Sequence, residues 1–127
     1  MRKTELAKRQ KVFEAQRLLI LEDATKIREN LVARPEDKDE VDQANAYIEQ
    51  SRLMQWNDKA RKQLRNIERV LEKIQKGEYE LCDGVDCGEE IEPKRLAANG
   101  LTLFCIQCQE KLDHQERVIR GARHIVH

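Results

Sequence analysis

Aromatic side chains are nearly missing from this chain, which holds one Trp, two Tyr and two Phe in 127 residues. With so few large apolar groups and 38% of its residues charged, the chain lacks the material for a thick core, so an elongated shape is expected. Net charge is missing too, because 24 acidic residues balance 24 basic ones. Bulk positive charge is thereby excluded as a source of nucleic-acid affinity, and only local patches remain. The longest strongly apolar run, Leu18–Leu21, is far too short to span a membrane. The opening MRKTELAKRQKVFEAQ has no apolar centre of the kind a signal peptide needs. A cytoplasmic protein with no membrane partner is expected, and in a reducing compartment its four cysteines read as metal ligands before disulfides. There is no G-x-G-x-x-G, no phosphate-binding loop and no Ser-His-Asp arrangement, so no enzyme is expected.

Helix breakers are scarce as well. From Leu6 to Leu31 there is no Gly or Pro, and Leu6, Phe13, Ile20 and Ile27 recur at heptad spacing, with Ala24 and Leu31 at the other seam position. Pro35 breaks the pattern. A second run, from about Val41 to Lys76, places Leu53, Ala60, Ile67 and Ile74 at one heptad position and Leu64 and Leu71 at the other. Polar Gln50 and Asn57 fall on the seam nearer the turn, where they weaken the pairing but can fix its register. Two heptad helices of roughly equal length, each about 45 Å long at about 1.5 Å per residue, predict an antiparallel coiled-coil hairpin. The expected fold is mainly α, with a hairpin over residues 1–76 whose acidic tip lies at 35–44, and a zinc-finger head with a C-terminal helix over 77–127.

Gly77 ends the second run, and the cysteines follow at once. Cys82 and Cys87 are separated by four residues, Cys105 and Cys108 by two, and the pairs by seventeen. Each close pair can form a knuckle presenting two thiolates to one side, and two knuckles complete the tetrahedral shell of one structural zinc ion. Gly88 suits a knuckle turn at positive φ, and Asn99-Gly100 suits a tight turn leading Leu101–Phe104 to the second pair. Four thiolates leave no open position for catalysis, and a segment of about 30 residues needs the metal to fold. Beyond Cys108, Leu112, Val118, Ile119, Ala122 and Val126 predict a final helix interrupted by Gly121. Arg117, Arg120 and Arg123 form a basic stripe on it, which reads first as a solvated face and second as a contact for an acidic partner. His114, His124 and His127 have no obvious partner.

The stretch PEDKDEVDQA at Pro35–Ala44 sets five acidic residues against Lys38. Helix physics gives one account: Asp39 caps the second helix, Asp42 follows three residues later, and acids in a first turn favourably oppose the helix dipole.

A second account comes from a resemblance. Asp39-x-x-Asp42-x-Ala44 at the end of a coiled-coil hairpin, followed by IERVLEKIQKGEYELC, CGEEI, KRL and CIQCQ, resembles the DksA/TraR family of bacterial and phage transcription regulators. The detailed match runs from about Asp39 to Gln109. The resemblance implies a non-enzymatic factor that binds RNA polymerase and inserts its coiled coil through the secondary channel, with Asp39, Asp42 and Ala44 as the tip residues that alter promoter complexes. It also implies zinc on Cys82, Cys87, Cys105 and Cys108, no sequence-specific DNA binding and a monomer. This chain departs from the family at C-x4-C, where C-x2-C is common, as though Gly84-Val85 were inserted. Lys59 keeps a positive charge where responsive members hold guanosine tetraphosphate, but Asn66 and Gln109 stand where lysines are expected. Neutral amides lose most of the electrostatic attraction for phosphate. Two other classes stay open from the residues alone: a Gre-like transcript cleavage factor, against which the cysteines count, and a zinc-ribbon adaptor unrelated to transcription.

Overall fold

The computed structural model describes residues 1–30 and 39–125. The expected seam residue Leu31, the breaker Pro35 and the acidic residues Glu36 and Asp37 lie outside the described residues, as do Val126, His127 and the side chains of Arg123 and His124. Four helices make up the described chain: α1 (Lys3–Asn30), α2 (Glu40–Lys76), α3 (Pro93–Ala98) and α4 (Ile106–Ile125). The chain divides into two compact units, Arg2–Glu72 and Lys73–His127, the latter joined by Met1. No described helix is long and apolar enough to cross a membrane.

In the first unit α1 and α2 form the antiparallel hairpin that the heptads predict. On α1 the less exposed positions include Leu6, Phe13, Ile20, Ala24 and Ile27. On α2 they run Ala46, Gln50, Leu53, Asn57, Ala60, Leu64, Ile67, an alternation of three and four residues that holds one stripe against the partner helix. Phe13, Ala60 and Ile67 are the most deeply buried of these, at 6%, 3% and 2% exposure. Arg17 on α1 pairs with Glu68 on α2 at 3.3 Å, fixing the register on the rim of the seam.

α1 has 28 residues and α2 has 37. Asp39 starts α2: its Oδ1 accepts the Asp42 N–H at 2.8 Å, and its carbonyl accepts the Gln43 N–H at 2.8 Å. A capped first turn needs no tertiary partner to begin.

In the second unit the end of α2 is closed by Gly77. With φ of +73° it adopts the left-handed conformation, the Glu78 N–H reaches the Lys73 carbonyl at 2.8 Å, and the Gly77 N–H reaches Ile74 at 3.2 Å. This paired closure satisfies carbonyls that the helix end would otherwise leave open. Tyr79, Ile91 and Leu96 supply the unit's small apolar core, each 3% exposed or less. The Tyr79 hydroxyl donates to the Gly100 carbonyl at 2.7 Å, tying the end of α2 to the Asn99-Gly100 turn. Lys73 is 2% exposed, and its ammonium donates to the Leu81 carbonyl at 2.5 Å. α4 passes through Gly121 without a break, contrary to the expected interruption. A glycine costs an exposed helix only about 1 kcal/mol, and a Cβ there would meet open space.

Candidate metal centre

Two loops carry the cysteines, and backbone hydrogen bonds tie them together. The first loop is pinned at its base, where Leu81 and Glu90 form an isolated antiparallel bridge, the Cys82 N–H reaches the Glu89 carbonyl at 2.7 Å and the Ile91 N–H reaches Glu80 at 2.7 Å. Gly88 takes φ of +62° there, as the sequence predicts, and Asp86 takes +57°. Asp is among the few side chains that tolerate this region, so the four-residue spacer closes at modest cost. The second loop is delivered by the turn at Asn99. Its Oδ1 accepts the Leu101 N–H at 3.1 Å and its carbonyl accepts the Thr102 N–H at 3.2 Å. The Asp83 N–H then donates to the Leu103 carbonyl at 2.8 Å, drawing the two loops together. α3, a single turn that the sequence reading did not resolve, starts at Pro93, buries Leu96 and lets Arg95 donate to the Phe104 carbonyl at 3.2 Å.

These ties bring the Sγ atoms of Cys82, Cys87, Cys105 and Cys108 within 4.8 Å of one another. A tetrahedral zinc ion with Zn–S of about 2.3 Å requires sulfurs about 3.8 Å apart, and Cys87 and Cys105 stand at 3.9 Å. All four are free thiols, and the donor set fits zinc. The surroundings already favour thiolate at one position. Burial opposes ionisation of Cys82, but the N–H groups of Cys105 and Gly84, each 3.3 Å from its sulfur, and the neighbouring thiols bring it from 9.0 to about 7. Cys108 is pushed up to about 12, first by hydrogen bonding with Cys82. A bound zinc ion would supply the positive charge that lets four thiolates share so small a volume.

Residues 77–114 match the prokaryotic dksA/traR C4-type zinc finger. This segment of the chain therefore carries a zinc finger of the dksA/traR C4 type. Among curated relatives, the RNA polymerase-binding transcription factor DksA of Haemophilus influenzae is 32% identical over 83 residues, 65% of this chain and 56% of that protein. The protein of the same name from Escherichia coli strain K12 is 31% identical over 83 residues, 65% of this chain and 54% of that one. An uncharacterized Aquifex aeolicus protein is 44% identical over 52 residues, 41% of this chain and 34% of its own length. The chain thus spans little more than half the length of the DksA relatives it matches. In fold it resembles the solved structure of transcription factor DksA2 from Pseudomonas aeruginosa, with a TM-score of 0.69 at 22% identity, covering 91% of this chain and 88% of that one.

Of the other residues singled out in the sequence, Asp39, Asp42 and Ala44 sit together at the start of α2, all exposed. Asn66 is half-buried on α2, and the Gln109 amide is held by the Asp113 carboxylate at 3.0 Å. Arg120 pairs with Glu116 at 2.7 Å and Arg117 donates to the Asp113 carbonyl, so part of the basic stripe is engaged along its own helix. Buried Lys73 was not legible, since a lysine between Glu72 and Ile74 carries no signal of burial.

Proposed function

We propose that this protein is a non-enzymatic transcription regulator that binds RNA polymerase and presents the start of α2 inside the secondary channel. Relatives matched over 65% of the chain carry the name RNA polymerase-binding transcription factor, and the tip geometry supports the finer reading. Asp39 spends one carboxylate oxygen on the Asp42 N–H, while the Asp42 side chain is left exposed on the first turn. At about 100° per residue, Val41, Ala44 and Ile48 share the face turned away from the seam, and all three are exposed, Val41 at 70%. An exposed carboxylate on one face of the first turns, with a small exposed apolar stripe on another, can enter a narrow passage and act on the charges lining it. Cys82, Cys87, Cys105 and Cys108 hold zinc for structure only, and Asp39, Asp42 and Ala44 make the contact. A response to guanosine tetraphosphate is not expected, because Lys59 keeps a positive charge but Asn66 and Gln109 offer none, and the Gln109 amide is engaged by Asp113.

The test is Asp42→Asn in transcription with RNA polymerase at saturating protein. Asn caps about as well as Asp, so thermal stability and most of the polymerase affinity should be unchanged. The effect on open-complex lifetime should fall by about tenfold, the scale of an ordinary coupling free energy. Wild-type behaviour of the Asn variant in that assay would leave Asp39 and Asp42 as helix-capping residues and nothing more.

A further inference from the structure

A residue that is not a ligand controls whether the four sulfurs can meet. Gly84 lies inside the spacer between Cys82 and Cys87. A Cβ added there would stand 2.6 Å from Cys108 Sγ, 3.2 Å from Cys108 Cβ and 3.3 Å from Cys82 Sγ. The first distance is far inside van der Waals contact. Cys108 Sγ has no room to yield, because it must stay within 4.8 Å of three other sulfurs to serve the same ion. Gly77, Gly88 and Gly121 differ from it: Gly77 and Gly88 have positive φ with open space around a Cβ, and Gly121 meets open space in a helix. Gly84 has no positive φ. Its requirement is closeness alone.

We propose that Gly84 is the positioning residue of this metal centre, the feature that lets a four-residue spacer serve where shorter spacers are common. A longer spacer must fold its extra residues back over the ligands. Gly84 does so with its backbone laid against Cys108 and its N–H donated to Cys82 Sγ at 3.3 Å, a contact that orients and stabilises the thiolate as outer-shell partners do at metal sites. Any side chain at position 84 displaces Cys108 and leaves three thiolates on the metal.

Cobalt(II) in place of zinc reads this directly in the full-length protein. Gly84→Ala should lose about a quarter of the thiolate-to-cobalt charge-transfer intensity, one ligand of four, and weaken metal affinity by about 10- to 100-fold. Gly88→Ala strains the same loop without touching a sulfur, so it should lower thermal stability and keep the four-thiolate spectrum. A cycle with Cys108→Ser separates positioning from general damage. Once Cys108 no longer ligates, adding Gly84→Ala should cost almost nothing further, and this holds even if Gly84→Ala alone binds no metal. A four-thiolate spectrum with wild-type affinity in Gly84→Ala would overturn the proposal, as would costs that simply add in the double variant.

Discussion

Removing the zinc ion should unfold Tyr79–Gln109 while α1 and most of α2 stay helical. The segment's apolar core is Tyr79, Ile91 and Leu96 beside the buried Cys82 and Cys105, too little to offset the conformational entropy of about 30 ordered residues. The metal supplies the difference, since structural zinc sites contribute apparent free energies of about 10–16 kcal/mol that are also folding free energy. Arg2–Glu72 forms a compact unit without the cysteines, so its seam does not depend on the ion. Cys105→Ser should mimic chelation, because Cys105 is 4% exposed and supplies both a sulfur and an N–H to Cys82. The measurement is one zinc per chain by metal analysis, followed by near- and far-ultraviolet circular dichroism during chelation. Loss of the near-ultraviolet signal with most helicity retained is the expected pattern. A metal-free protein with intact tertiary signals would contradict it.

The second large effect lies in the hairpin. Ile67 is 2% exposed at the centre of the seam, so Ile67→Asp buries an unpaired carboxylate between two helices. Such a change costs about 3–5 kcal/mol, which for a unit of this size lowers the melting temperature by on the order of 20 °C. Leu64→Asp should cost less, because Leu64 is only half-buried. Lys59, exposed on the same helix, can become Ala within about 0.5 kcal/mol. Thermal unfolding of the three variants tests the register, and equal shifts for Ile67→Asp and Lys59→Ala would show it to be misassigned.

How much of this was legible depends on the range over which each feature is encoded. The α2 seam from Leu53 to Ile67 could be read because heptad periodicity is a local signal repeated many times, and the cysteine spacings could be read because knuckle geometry permits few others. Gly77 and Gly88 were legible for a similar reason, since a glycine at a helix end or in a knuckle has few other uses. Lys73, Asp86 and the short α3 were missed together. A buried ammonium, a left-handed aspartate and a single helical turn are all imposed by neighbours distant in sequence. The spacer containing Gly84 could be seen to be long, but the need for a bare Cα there comes from Cys108, twenty-four residues further on.

The exposure of Val41, Asp42, Ala44, Asn45 and Ile48 has a bearing on how such a protein diversifies. None of these side chains is part of the seam, and substitutions at such positions usually change stability by no more than about 0.5 kcal/mol. Selection can therefore rewrite what this end of α2 says to a partner, one residue at a time, without passing through unfolded intermediates. Position 84 has no such latitude, since a Cβ there would stand 2.6 Å from Cys108 Sγ. In this chain a substitution at the start of α2 is therefore felt in partner contact before stability, and one at Gly84 in the fold of the cysteine loops first.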